Sequence, residues 1–198
     1  TANRSQQDSF LSLSANTVLT RDDIEALQVA SVSDILSTVA GIQVVTNGDA
    51  GQSSSVFTRG MESDHTLILL DGVRVNSATL GTTNFAALSA QQIERIEVVK
   101  GPRAALWGSD ALAGVIQIFT KRYASGEKAF SIGLGSNSFN QSSISVGFGN
   151  EQHQYTFNAS TENSDGFNAY RSNPNDPYDL DEPDKDGYER ETVSLVGN

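Results

Sequence analysis

The residues best suited to chemistry lie late in the chain. Residues 162–191, "ENSDGFNAYRSNPNDPYDLDEPDKDGYERE", hold ten acids against three bases. Ca²⁺ takes six to eight oxygens from carboxylates, amides and backbone carbonyls. Asp179, Asp181, Asp184 and Asp186 offer such oxygens, and Gly187 lets the chain bend behind them. The stretch is not an EF-hand, because "DKDGY" lacks that motif's ligand spacing and its late Glu. A solvated surface loop is the competing reading. Other chemistries have little to work with. Only His65 and His153 are available as bases, cysteine is absent, and no Gly-x-Ser-x-Gly elbow occurs. Neither Gly-x-Gly-x-x-Gly nor a Gly-Lys-Ser/Thr phosphate loop is present, so neither nucleotide binding nor an enzyme is expected.

The formal net charge of −11 is unevenly spread. Residues 1–122 carry nine Lys/Arg and twelve Asp/Glu, whereas residues 123–198 carry four and twelve. The composition therefore changes near residue 122, where a domain boundary is expected. A chain this acidic makes a poor nucleic-acid binder, since phosphate contacts need Lys and Arg. No apolar run approaches the roughly 20 residues of a membrane helix. No signal peptide is visible, although a chain starting at Thr1 fits a mature form.

In the first part, "TRDDIEAL" places Thr20 three residues before Asp23, close to a capping box. "SVSDILSTVAG" repeats the plan with Ser31 and Asp34, and Gly41 is expected to stop the helix. Strands then dominate: "IQVV", "SVFTRG", and "TLILLDGVRVN" as a hairpin turning at Asp71-Gly72. "SAQQIERIEVVKG" reads as one helical turn running into a strand. "GPRAALWGSDALAG" folds back into "VIQIFTK", with Gly101, Gly108 and Gly114 for positive φ or close backbone approach. Trp107 is expected to fill core.

After Lys121 the period becomes two. Phe130, Ile132 and Leu134 alternate with small residues, as do Ile144, Val146 and Phe148, then Tyr155, Phe157 and Ala159, and finally Val193 and Leu195. A soluble sandwich would pack such faces together. A membrane barrel turns them outward to lipid and keeps small polar side chains in the lumen. Four strands cannot close a barrel, so the second reading makes this chain part of a longer protein. With open edges and lipid-directed faces, the four strands alone are expected to fray or pair abnormally.

"IERIEVVKGPRAALWGSDALAGVIQIFTK", "VFTRG", "LILLDGVRVN" and "SVSDILSTVAGIQV" together resemble the plug domain of TonB-dependent outer-membrane receptors, in the right order. The resemblance implies an α+β plug over residues 1–122, a mixed short sheet with short helices. Residues 123–198 would be about four antiparallel strands of an incomplete transmembrane β-barrel, in the outer membrane of a Gram-negative cell. Within the family, "TNGDAGQSSSVFTRG" and "DKDGY" are most similar to receptors for vitamin B12 (cobalamin).

For the site, that resemblance implies Asn47, Gln52, Asn76, Thr79 and Leu80 at the substrate-facing plug loops. By the match to "DKDGY", Ca²⁺ would sit on Asp184 and Asp186, beside the Asp179 and Asp181 read from the acidic loop itself, with Asn168 of "GFNAY" in the place of a further ligand. Arg59 and Arg103 would anchor the plug to barrel-wall carboxylates. "TANR" resembles the tail of the TonB box, leaving Thr1 and Ala2 as its remnant and TonB as the partner. A ferric-siderophore receptor is the alternative within the family, and a soluble β-rich enzyme a distant one.

Overall fold

The computed structural model describes residues 15–29, 31–46, 54–77, 83–85, 88–150, 152–167 and 185–197. These fall into two compact units, divided between Lys121 and Arg122.

The first unit contains β1 (Ala15–Leu19), α1 (Arg21–Leu27), α2 (Val32–Ser37), β2 (Ile42–Thr46), β3 (Ser54–Thr58), β4 (Thr66–Leu70), β5 (Val73–Arg74), β6 (Ile93–Lys100), α3 (Ala104–Trp107) and β7 (Gly114–Thr120). Five strands form one sheet in the order β1-β6-β7-β4-β5, and β2 pairs with β3 separately. The β4–β7 pair is parallel, and the other pairs in both sheets are antiparallel.

That central pair needs apolar cover on both faces, which explains the nearly continuous apolar runs "TLILL" and "GVIQIFT", broken inside only at Gln117. Ile68, Ile96, Val98, Ile116 and Ile118 join Ile24, Val32, Ile35, Leu36 and Val39 of the helical layer in the main core. Leu67, Leu69 and Val115 form a second cluster with Ala111, and Trp107 packs against it as expected.

The helix starts follow the sequence reading. Thr20 and Asp23 form a complete capping box, and hydrogen bonds from Thr20 hold the Asp23 carboxyl below the usual carboxylate range. Ser31 Oγ accepts from Asp34 N–H at 3.1 Å. The ends differ. Helix α1 closes on Gln28, left-handed at φ 52, and α2 stops at Thr38. The positive φ of Gly41 (82°) therefore serves the turn into β2, not the helix stop expected of it.

Arg21 ties α1 to the sheet. Its guanidinium donates to Ala90 O and Ile93 O (3.0 and 2.9 Å) and pairs with Glu25 at 2.6 Å. At the unit's last residue, burial and the Arg21 charge push the Lys121 ammonium pKa down, against Glu25 and Glu94. The Asp71-Gly72 hairpin forms with φ 49° and 87°. Asp71 also accepts from Thr120 N–H (3.0 Å) and Thr120 Oγ1 (2.6 Å), which extends the β4–β7 contact past the strand end.

The second unit is one antiparallel sheet in the order β11-β10-β9-β8, from β8 (Lys128–Leu134), β9 (Asn140–Gly149), β10 (Gln154–Ser164) and β11 (Tyr188–Gly197). The strands pair in continuous register. The inner strands β9 and β10 pair on both sides, and β8 and β11 form the two edges of the sheet.

Gly114 starts β7 where β6 crosses closely: a Cβ there would lie 2.4 Å from Val99 O. At Gly60 nothing lies within 4 Å and only the φ of 75° opposes a side chain. Gly114→Ala should therefore cost about 3 kcal/mol of plug stability. Gly60→Ala should cost about 1 kcal/mol. Chemical-denaturation midpoints for the two variants will test that order.

Candidate functional site

Three tight turns meet at one corner of the first unit. Arg59 occupies the turn after β3 with φ 53°, a conformation that costs a non-glycine residue roughly 1 kcal/mol or more. Its N–H donates to Gly41 O at 2.8 Å. Its Nη1 lies 3.6 Å from where a Gly101 Cβ would sit. The Arg59 side chain is exposed, with no hydrogen bond or ion pair among the described residues.

Arg103 follows Gly101 by two residues. Its N–H donates to Ala111 O at 2.7 Å and its carbonyl accepts from Leu106 and Trp107, both at 2.9 Å. Its Nε is buried without a hydrogen-bond partner. Lys100, the third cation of this corner, is committed to the fold through Ala40 O (2.9 Å) and Thr17 Oγ1 (3.3 Å). Arg59 is thus held on a left-handed backbone and Arg103 in a tight turn, with the Arg59 side chain and the Arg103 Nε unpaired among the described residues.

Asn76 has a role that the sequence reading missed. Its Oδ1 accepts from Ile68 N–H (2.7 Å) and its Nδ2 donates to Thr66 O (3.0 Å). The side-chain amide thereby continues the short strand β5 along β4. Of the expected substrate residues, only Asn76 is described, and both ends of its amide serve the fold. Asn47, Gln52, Thr79 and Leu80 lie outside the described residues, as do Thr1 and Ala2.

In the second unit the two faces differ sharply. Phe130, Ile132, Leu134, Val193 and Leu195 are 63–82% exposed, and Ile144, Phe148, Tyr155 and Phe157 share their face. Phe148 and Tyr155 stack at 5.7 Å beside the β9–β10 turn. Such an apolar expanse is foreign to a water-facing monomer and is normal against lipid, with aromatic residues at the interface. The other face carries Ser, Gly, Thr and Asn, with Gln141, Thr156, Asn158 and Glu162 buried. Glu162 receives Arg190 Nη2 at 2.6 Å, Tyr188 Oη at 2.6 Å and Gln141 Nε2 at 3.1 Å. Opposite charges at matching polar positions of two alternating strands were the available sequence signal for this cluster.

The base of the acidic segment is held by its backbone. Asp165 N–H donates to Asn137 O (2.9 Å), and Asp186 N–H to Phe167 O (3.1 Å). A Cβ on Gly166 would lie 2.1 Å from Asp186 O, so the two chains touch there. Asp186 is exposed. Asn168, Asp179, Asp181 and Asp184 lie outside the described residues. Among the described residues no three metal-ligating side chains gather.

Residues 11–115 match the TonB-dependent Receptor Plug Domain family. The chain belongs to that family. Two relatives named Vitamin B12 transporter BtuB are similar across 98% of this chain: one from Vibrio vulnificus at 41% identity and one from Photobacterium profundum at 39%. The chain spans 31% of each of those relatives. Among solved structures, the ferric yersiniabactin uptake receptor FyuA of Yersinia pestis shares the fold with a TM-score of 0.73 over 99% of this chain and 30% of its own, at 17% identity. A mutant of the ferric enterobactin receptor PfeA of Pseudomonas aeruginosa gives 0.65 over 92% of this chain and 30% of its own, at 25% identity. A TonB-dependent receptor resides in the Gram-negative outer membrane, and its family consists of transport receptors. The first unit is thus the plug, and the second is the start of a barrel that this chain does not close.

Asn76→Ala should destabilise the plug by about 2 kcal/mol, because two β4 backbone groups lose their partner. Hydrogen exchange at the Ile68 amide should rise in the variant. Unchanged protection would remove Asn76 from its structural role.

Proposed function

We propose that the full-length protein takes up vitamin B12 across the outer membrane, with the plug gating the barrel. One observation carries this reading: the identity of 41% with a B12 transporter extends over 196 residues, through the plug and the acidic segment alike. The siderophore receptors share the fold at lower identity, and FyuA, at 17%, is evidence of architecture alone. Substrate binds at the plug loops that contain Asn47, Gln52, Thr79 and Leu80. The fold-bound amide of Asn76 supports its own loop from below.

Calcium is part of the proposal. A hard cation needs an all-oxygen donor set, and Asp179, Asp181, Asp184, Asp186 and Asn168 provide one. Asp186 stands exposed where the segment rejoins the sheet, which suits a ligand at its base. Neutralising these carboxylates would order the segment over the substrate. Arg59 and Arg103 anchor the plug to carboxylates of the barrel wall. Glu162 is engaged within its own sheet by Arg190, Tyr188 and Gln141.

TonB captures the N-terminal segment that includes Thr1 and Ala2, by strand addition. Bound substrate favours that capture only through a difference in affinity between plug states. The chain performs no covalent chemistry in this scheme.

The test is a cyanocobalamin titration of the full-length receptor with and without Ca²⁺. The expected result is binding that weakens at least tenfold on calcium removal, with Asp184→Ala and Asp186→Ala losing that calcium dependence. Failure to bind cyanocobalamin in either condition, together with binding of a ferric siderophore, would overturn the substrate assignment.

A further inference from the structure

The three hairpins of the second unit fix their registers by different means. The β8–β9 turn is tight: Phe139 N–H donates to Ser136 O (3.0 Å) and Gly135 N–H to Phe139 O (2.9 Å). The β9–β10 turn is tight as well, with Asn150 Oδ1 accepting from Gln152 and His153 N–H at 2.9 and 2.8 Å. Tight turns set register by geometry. Strands β10 and β11 are joined by residues 165–187, too long a connection to set register by turn geometry, and only the approach of Gly166 to Asp186 at its base adds to the strand pairing.

Nor does the face pattern set it. Moving β11 by two residues keeps apolar side chains on the apolar face. In one direction Leu195 would oppose Ala159 and Val193 would oppose Thr161, a substitution the lipid-facing side tolerates. The small polar residues of the other face are equally interchangeable. Glu162 and Arg190 are different. They are direct partners in the register, and the carboxylate is 3% exposed. One carboxylate oxygen takes Tyr188 and the other takes both Arg190 and Gln141. No two-residue slip keeps all three donors: it places Thr192 or Tyr188 opposite Glu162 and strands charge on a buried position.

We propose that Glu162 and Arg190, closed by Tyr188 and Gln141, form the register lock of the β10–β11 pair. Breaking a buried ion pair is costly, and fixing register is the best-attested use of such a pair. The consequence reaches the whole barrel. Strand number, tilt and stagger must agree for a barrel to close, so a two-residue slip here changes the stagger of every later strand. The lock does not depend on which substrate the receptor takes up.

This chain contains no cysteine, so paired cysteines can report register in the full-length receptor once any cysteine elsewhere is replaced. Ser160 and Thr192 are opposed in the native register, and Ser160 and Ser194 would be opposed after a slip. Oxidation of the folded receptor should link S160C to T192C and leave S160C with S194C at a low diagonal background. In the neutral variant Glu162→Thr with Arg190→Thr, the slipped link should rise roughly tenfold. The charge swap Glu162→Arg with Arg190→Glu should return it to background. If the neutral variant does not fold, Glu162→Gln, which keeps the shape and loses the charge, should still raise the slipped link severalfold. An unchanged link ratio in whichever neutral variant folds would overturn the proposal, because the pair would then be adding stability without choosing register.

Discussion

Hydrocarbon offers no water to an unpaired peptide group, and that constraint organises the second unit. Every backbone N–H and C=O placed in the bilayer must find a partner inside the protein. Laterally paired strands meet the demand, and pairing then forces side chains alternately to two sides. The sheet β11-β10-β9-β8 shows the result: Phe130, Ile132, Leu134, Val193 and Leu195 stand open on one side, and Ser143, Ser145, Asn158 and Ser160 occupy the other. A face that would be an aggregation hazard in water is solvated by lipid tails.

The plug obeys the opposite rule. Its sheet is buried on both faces around the parallel β4–β7 pair, and polar side chains repair the edges that its short strands leave. Asn76 extends β5, Asp71 extends the β4–β7 contact, and Arg21 caps the carbonyls where β6 begins. What is left over is cationic. Among the described residues Arg59 holds a left-handed backbone without a charge partner, and the Nε of Arg103 is buried without an acceptor.

The sequence was most informative where one residue type has one physical use. Thr20 with Asp23, the Asp71-Gly72 turn and the period-two strands all appear where the pattern places them. It was less informative where a side chain replaces backbone. Nothing in "GVRVNS" separates an Asn that binds substrate from an Asn76 that completes a strand. The Gln28 cap was hidden because a left-handed Gln is uncommon, and Gly41 misled because its positive φ serves a turn three residues after α2 has ended. The pairing of Glu162 with Arg190 depends on a register that residues 165–187 do not specify. The proposed calcium ligands, Asp186 excepted, lie outside the described residues, so that part of the site rests on sequence alone.

Residues 154–164 run between lipid and lumen with their side chains alternating. Spin labels placed singly along β10 of the full-length receptor in a bilayer test it directly, by collision with oxygen, which partitions into lipid, and with a water-soluble nickel chelate. A lipid-facing wall gives a period of two, with oxygen maxima at Tyr155, Phe157 and Ala159 and minima at Thr156, Asn158 and Ser160. A flat profile, or maxima on the Thr156 series, would contradict the assignment of this sheet to a lipid-facing barrel wall.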